Sequence, residues 1–168
     1  LLDGEIPPEM VQDPWEKRVP GLGLGRDPER TPMPWTSAPN AGFCPPDATP
    51  WLPLNADSAT VNVATQLEDP NSMLVLTEKL IQLRRETAAL NRGSYGSLPA
   101  PDGVLAFERY QGEQIRWVVL NMTDEAKMWL LPEDAGAAAV LLTTATNPPT
   151  LVGNSLPLRP HEGVILAL

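Results

Sequence analysis

The chain has 168 residues, enough for one medium domain or for one small domain with an appended segment. Its 12 basic and 21 acidic residues give a formal net charge of −9, which disfavours nucleic acid and anionic membrane surfaces as partners. One cysteine and one histidine exclude an internal disulfide, a multi-thiolate zinc site and a multi-histidine site. We expect no cofactor and no metal in this chain.

The first third of the chain is rich in proline. Residues 1–53 hold 12 of the 20 prolines, and residues 1–70 carry 11 acidic but only 4 basic residues. Because proline lacks an amide donor and fixes φ, this spacing excludes a helix longer than about two turns and any central strand. Four aromatic anchors, Trp15, Trp35, Phe43 and Trp51, favour an ordered irregular arm on a scaffold, with disorder as the alternative.

Residues 71–92 carry a helical pattern. Apolar residues recur at three- and four-residue steps from Met73 to Leu90, and basic residues gather towards the C-terminal end. Asn71 or Ser72 is the predicted N-cap, and Gly93 the residue that ends the helix. We predict one long helix of five to six turns, buried against a broad partner.

From residue 94 the pattern changes to short β runs. A strand is predicted over 104–110, a hairpin turn over 111–114, and further strands over 115–121, 127–131, 139–144 and 163–168. Such runs, separated by frequent turn signals, predict an antiparallel sandwich or barrel. The predicted fold class is therefore mostly β: an antiparallel β-sandwich preceded by one long helix and a proline-rich irregular arm.

The densest group of unusual residues runs from Gly25-Arg26-Asp27 to Pro34-Trp35. An arginine in a rigid loop presents a fixed fork of donors suited to carboxylates and sugar hydroxyls. The structural alternative is that Arg26 and Arg30 pair with the neighbouring Asp27 and Glu29 on a solvated loop.

This group and the segments after it resemble α-glucosidase-like members of glycoside hydrolase family 13, the α-amylase superfamily. The resemblance runs in order along nearly the whole chain. It is carried by Gly25-Arg26-Asp27, Asn40-Ala41-Gly42-Phe43, Pro50-Trp51-Leu52-Pro53, Asn62 to Gln66, Asp69 to Leu74, Leu80 to Arg85, Leu90 to Tyr95 and Pro160 to Leu166.

The resemblance implies a place for each segment. In that family a catalytic (β/α)8 barrel precedes a small antiparallel β-sandwich. Residues 1–70 resemble the connection after the eighth barrel strand, 71–93 the last barrel helix, and 94–168 the C-terminal sandwich. The Arg of Gly-Arg-Asp lines the pocket for the terminal glucose there and pairs with an aspartate from the start of the barrel, so Arg26 is the predicted substrate-binding residue.

The resemblance also implies that the catalytic carboxylates lie outside this chain. Retaining glycosidases need two carboxyl groups about 5 Å apart across the bond. In the family these come from barrel strands that precede everything matched here, so we predict no catalytic residue in 1–168 and no activity of the chain alone. Calcium, where family members bind it, would also use barrel residues.

Other candidate residues carry weaker signals. The adjacent pairs Asp124-Glu125 and Glu133-Asp134 fit turns, because adjacent side chains on a strand point apart. Cys44 and His161 are the one possible Cys–His pair, without a supporting motif, and a plain thiol and a turn histidine are favoured.

Trp117 and Trp129 are candidates for stacking on sugar. Their places in predicted strands favour core packing instead.

We therefore predict the C-terminal part of an α-glucosidase-like enzyme. Its partners would be α-glucoside sugars in the parent enzyme, with a homo-oligomer or a contact with a barrel domain as further partners, and its expected localisation is cytoplasmic. The alternatives are a free-standing carbohydrate-binding or self-association module, or the equivalent part of a trehalose synthase-like glucosyl-transferring enzyme.

Overall fold

The computed structural model describes residues 6–22, 25–133 and 135–168. The chain divides into two compact units, residues 1–75 and 76–168. Helices occupy most of the regular structure of the first unit, and antiparallel sheets that of the second. The fold is therefore mixed, with more helix than the mostly β prediction allowed, whereas the predicted antiparallel pairing is confirmed.

The first unit contains several short helices that begin with proline. They are the 3-10 helices Pro8–Met10, Pro28–Arg30 and Pro39–Gly42 and the α-helix α1, Pro14–Arg18. Proline is tolerated in the first turn because the amide it lacks has no intrahelical partner there. Each of these helices is short, since the next proline soon removes a backbone donor.

Hydrogen bonds close a left-handed turn at Asn40 and Ala41. Asn40 and Ala41 adopt the left-handed region, with φ of 54° and 52°. Asn40 Nδ2 donates to the carbonyl oxygens of Pro45 and Ala48, at 2.7 and 2.8 Å. The Ala41 carbonyl accepts from the amide of Trp35 at 2.9 Å, so the turn closes on itself.

Side-chain caps order the end of the first unit. Asn62 caps α2, Val63–Glu68, by accepting from the Thr65 amide at 3.0 Å. Ser72 Oγ accepts from the Val75 amide at 3.2 Å, which identifies Ser72 as the cap of α3, Met73–Glu86.

The predicted single long helix is two helices. After α3 the chain is extended at the buried Thr87, with φ −107° and ψ 106°, and α4 follows over Ala88–Arg92. The Ala89 amide donates to Gln114 Oε1 at 2.8 Å, so α4 is tied to the following hairpin instead of continuing α3. Within the described residues α3 has no buried residue, which differs from the predicted burial.

In the described part of the second unit, seven strands form two antiparallel sheets. They are β1 Ser94–Ser97, β2 Val104–Gln111, β3 Gln114–Asn121, β4 Lys127–Leu130, β5 Ala139–Thr143, β6 Ser155–Leu158 and β7 Gly163–Ala167. One sheet has the order β1-β2-β3-β7-β5, and β4 pairs with β6 in the other. The predicted hairpin is confirmed, because Gln111 pairs with Gln114 around Gly112, whose φ is 58°.

Both sheets contribute to one hydrophobic core. Its buried members are Ala106, Trp117, Val119, Trp129, Leu131, Leu156, Leu158, Val164 and Leu166. Trp117 and Trp129 meet edge to face, with ring centroids 5.5 Å apart. Trp129 Nε1 also donates to the Pro99 carbonyl at 2.9 Å.

Candidate functional site

The predicted substrate-binding residue, Arg26, is paired with Asp13. Arg26 Nε donates to Asp13 Oδ2 at 3.0 Å, and the Arg26 amide donates to the same oxygen at 3.3 Å. Arg30 Nη1 lies 3.8 Å from that oxygen. Among the described residues, both arginines therefore pair with Asp13, thirteen or more positions earlier in the chain, and not with Asp27 or Glu29.

The Asp13 carboxylate is fully buried, whereas the Arg26 side chain is 58% exposed. Asp13 Oδ1 accepts from the Trp15 amide at 2.8 Å, as the N-cap of α1. This hydrogen bond from Trp15 holds the pKa of Asp13 below its usual value, burial opposes it, and the Arg26 side chain and amide lower the pKa further. Asp13 is thus an ionised carboxylate whose charge faces two arginines.

Asp27 forms the second half of a reciprocal contact between residues 12–13 and residues 26–27. Its Oδ2 accepts from the amides of Gln12 and Asp13, at 2.6 and 2.9 Å. The side chain of Asp13 therefore holds the backbone at Arg26, and the side chain of Asp27 holds the backbone at Asp13. Two buried carboxylates fix residues 12–13 and 26–27 against each other.

Glu16 on α1 holds the other end of the loop. Its Oε1 accepts from the Gly21 amide at 2.9 Å and its Oε2 from the Gly25 amide at 3.1 Å. A Cβ on Gly25 would lie 2.9 Å from Glu16 Cβ, so this position has no room for a side chain. We call Asp13, Glu16, Gly25, Arg26 and Asp27 the arginine loop.

The hydrogen bond to Asp13 uses Nε of Arg26. Among the described residues, the terminal nitrogens Nη1 and Nη2 of Arg26 make no further bond. Sugar hydroxyls and carboxylates are the acceptors that a fixed guanidinium suits. The site can therefore present two terminal nitrogens, each with two N–H groups, from a held side chain to a ligand.

The other candidate residues lie elsewhere. Trp117 and Trp129 are buried in the core, as the core-packing interpretation predicts. Cys44 is half-buried in the first unit. His161 lies in the second unit, where its amide donates to the Thr123 carbonyl in the turn before β7.

The acidic pairs occupy connections between strands. Glu125, between β3 and β4, pairs with Lys127 at 3.0 Å. Glu133 is exposed, and Asp134 lies outside the described residues. The described part of the chain holds no group of three or more His, Cys, Asp or Glu side chains placed to bind a metal ion.

A shallow cavity of about 450 Å³ follows one side of α3. Glu78, Ile81, Gln82, Arg85 and Glu86 line it. These side chains come from one helix and form no arrangement of nucleophile, base or paired carboxylates, so the arginine loop remains the better candidate.

Sequence reasoning missed Asp13, Glu16 and the roles of both loop aspartates. Contacts between irregular segments follow no period, so spacing along the chain could not reveal the Asp13–Arg26 pair. The one available signal was Asp13-Pro14, an N-cap residue followed by proline at the first helical position. That signal predicts a short helix but not a partner for its carboxylate.

Residues 5–93 match the family described as the alpha amylase catalytic domain. The chain belongs to the α-amylase family. This confirms the resemblance to glycoside hydrolase family 13 that the arginine loop and the later segments carry. In this family member, the arginine loop and α1 to α4 fall inside the matched residues.

Several curated relatives of this α-amylase family chain are named as glucosidases. It is 33% identical over 161 residues to a probable oligo-1,6-glucosidase 2 of Bacillus subtilis (strain 168), covering 95% of the chain and 28% of the relative. It is 37% identical over 124 residues to a glucan 1,6-alpha-glucosidase of Streptococcus pneumoniae, covering 74% of the chain and 22% of the relative. The chain thus spans less than a third of the length of these relatives.

Solved structures of similar sequence share the fold. The alpha-glucosyl transfer enzyme XgtA matches with a TM-score of 0.80 and 32% identity, over 98% of this chain and 30% of that one. A trehalulose synthase MutB variant in complex with sucrose matches with a TM-score of 0.71 and 31% identity, over 85% of this chain and 26% of that one. Among the helices that the structure describes, none is both long and apolar enough to cross a membrane.

Proposed function

We propose that the chain is the C-terminal part of an α-glucosidase-like glycoside hydrolase and that Arg26 binds the terminal glucose of the substrate. The parent enzyme would hydrolyse terminal α-linked glucose with retention of configuration. The observation that carries the proposal is the Arg26 side chain, held through Nε by a buried carboxylate while its terminal nitrogens are left for the sugar and for the barrel aspartate that the resemblance implies.

The chemistry of the loop supports binding and not bond cleavage. Asp13 and Asp27 are buried, and their hydrogen bonds come from backbone amides and from Arg26. A retaining mechanism needs one carboxyl group free to attack and one protonated to donate. Because the pKa of Asp13 is lowered by the Trp15 amide and by Arg26, Asp13 is unsuited to act as the acid. We therefore propose that the chain alone is inactive.

The two antiparallel sheets support the proposed place of the second unit in the parent enzyme. Their shared core matches what a C-terminal β-sandwich requires, namely two sheets that bury side chains between them. We propose that residues 94–168 form this sandwich and that 1–70 and 71–93 correspond to the connection and helix at the end of the barrel.

A chimera tests the proposal. Residues 1–168 would replace the matching C-terminal part of the Bacillus subtilis relative, and hydrolysis of nitrophenyl α-glucoside would be measured for the chimera and for the 168-residue chain. The chimera should release nitrophenol, and the chain alone should release none. Arg26→Ala in the chimera should raise KM about ten-fold or more, as expected for the loss of a charge-assisted hydrogen bond to the sugar.

Arg92→Ala is the matched control, because Arg92 is an exposed arginine outside the arginine loop. It should leave KM unchanged. Turnover by the 168-residue chain would contradict the proposed inactivity, and an active chimera in which Arg26→Ala changes neither KM nor kcat would contradict the proposed role of Arg26.

A second candidate function is α-glucosyl transfer, which the similarity to XgtA supports. Hydrolysis releases glucose and nitrophenol in equal amounts, whereas transfer to a second sugar releases less glucose than nitrophenol. The product ratio of the chimera, compared with that of the unmodified relative, distinguishes the two functions. A lower glucose fraction in the chimera would favour transfer.

A further inference from the structure

Asp13 has a hydrogen-bonding pattern that a capping residue does not need. A helix N-cap requires one side-chain oxygen to accept from an amide of the first turn, and Oδ1 does this with Trp15. The second oxygen, Oδ2, accepts from both the backbone amide and Nε of Arg26 and faces Arg30. Oδ1 of Asp13 therefore caps α1, whereas Oδ2 contacts the two arginines.

Two hydrogen bonds from one residue to one oxygen restrict that residue strongly. The Arg26 amide and Nε are separated by the length of the side chain, so fixing both to Oδ2 limits the torsions between them. A free arginine side chain loses rotamer freedom when it binds a ligand, and this loss of entropy weakens binding. Asp13 removes part of this cost before any ligand binds.

We infer that Asp13 is the positioning residue for Arg26, fixing the guanidinium so that Nη1 and Nη2 meet the terminal glucose already oriented. This inference rests on the proposed function, because it assigns to Asp13 the preorganisation of the proposed sugar contact. Asp13 does not touch the sugar and acts through Arg26.

This role requires a hydrogen-bond acceptor at both carboxylate oxygens of Asp13. In Asp13→Asn, an amide nitrogen at the position of Oδ2 would face the two donors of Arg26. If the amide turned its oxygen to Arg26, its nitrogen would face the Trp15 amide instead. Either orientation places a donor against a donor, so asparagine cannot reproduce both halves of the contact.

Glu16→Gln provides a matched control in the same loop. Glu16 is another α1 carboxylate that accepts from two backbone amides, those of Gly21 and Gly25, but it makes no bond to Arg26. Glu16→Gln changes a backbone contact of the loop but removes neither partner of the Asp13–Arg26 contact, so it separates general loosening of the loop from loss of that contact.

The first experiment follows the Arg26 Nε–H group by ¹⁵N NMR in the 168-residue chain, with the signal assigned by its loss in Arg26→Lys. In the unmodified chain and in Glu16→Gln this proton should exchange slowly with water. In Asp13→Asn the exchange should be about ten-fold faster or more, corresponding to the loss of a hydrogen bond to a charged group. Equal exchange in the unmodified chain and in Asp13→Asn would overturn the inference.

The second experiment measures kcat and KM of the chimera on nitrophenyl α-glucoside. Asp13→Asn should raise KM about ten-fold with kcat nearly unchanged, as for lost binding that acts equally on the ground and transition states. A merely structural role would lower the active fraction, and therefore the apparent kcat, without changing KM. Asp13→Glu, which keeps the charge, should recover part of the lost affinity.

The two experiments separate the inference from the proposed function. If Arg26→Ala raises KM but Asp13→Asn does not, the positioning role is wrong and the proposed function stands. If Asp13→Asn frees the Nε–H group while Arg26→Ala leaves KM unchanged, Asp13 does hold Arg26 but the proposed sugar contact is wrong, and the inference fails with it.

Discussion

Replacing Leu156 with alanine tests whether the two sheets of the second unit share one core. Leu156 on β6 lies opposite Trp129 on β4 and is 0% exposed, whereas Leu130, the next residue of β4, is 69% exposed. The same substitution at the two positions therefore removes the same atoms from a buried site and from an exposed site of one small sheet.

The expected losses of folding stability differ greatly between Leu156→Ala and Leu130→Ala. A buried Leu→Ala substitution costs about 2–5 kcal/mol, because apolar contact is lost and a cavity remains. Taking about 3 kcal/mol, and about 4–8 °C per kcal/mol for a domain of 60–100 residues, Leu156→Ala should lower Tm by about 12–24 °C. Leu130→Ala should change the free energy of unfolding by less than about 0.5 kcal/mol.

Thermal denaturation followed by far-UV circular dichroism measures both variants against the unmodified chain. Equal small shifts for Leu156→Ala and Leu130→Ala would refute the shared core, because β4 and β6 would then contribute nothing to the packing of the larger sheet. A large loss confined to Leu156→Ala would agree with it.

Three further predictions concern local geometry and pH. Gly25→Ala should lower the free energy of unfolding by about 1–3 kcal/mol in urea denaturation, because the added Cβ would lie 2.9 Å from Glu16 Cβ; an unchanged midpoint would contradict the close approach. Gly93→Ala should destabilise the folded chain, because the added Cβ would meet backbone oxygens of α4 and β2. Gly136→Ala should not, because the space around Gly136 is open. Equal melting temperatures of the two variants would contradict this prediction. Because the Trp15 amide and Arg26 hold the folded-state pKa of Asp13 below its usual value, the contribution of Asp13 to stability is present above about pH 4 and is lost as the pH falls below that value. The stability difference between the unmodified chain and Asp13→Asn should therefore shrink on acidification, and urea titrations showing a constant difference would contradict this.

Regular elements of the second unit were predictable because they follow periods. The alternation and β-branched residues of 104–110 and 115–121 locate β2 and β3 to within a residue. β6 was not predicted, because Pro157 within it disfavours a strand. Proline is tolerated there because β6 pairs with β4 alone and has no second neighbouring strand.

The break between α3 and α4 was not predictable from periodicity. Apolar residues continue across Thr87 at helical steps, and no proline or glycine marks the interruption. The bond from the Ala89 amide to Gln114, twenty-five positions later, is a tertiary contact that overrides local helix propensity.

Prediction of the candidate site was partial for a similar reason. Gly25-Arg26-Asp27 stood out by composition and by resemblance, so Arg26 was identified. Its partner Asp13 was not, because a loop-to-loop ion pair leaves no periodic signal in the sequence. The nearby acids Asp27 and Glu29 were the obvious partners by spacing, yet Asp27 accepts from backbone amides instead.

The double substitution Asp13→Asn/Arg26→Ala in the chimera tests most directly whether Asp13 acts through Arg26, by comparing its KM for nitrophenyl α-glucoside with that of each single variant. If Asp13 acts through Arg26, the KM of the double variant should equal that of Arg26→Ala alone, because no guanidinium remains to be positioned. If the fold-increase in KM of the double variant instead equals the product of the fold-increases of the two single variants, the two residues act independently. That result would contradict a role of Asp13 through Arg26.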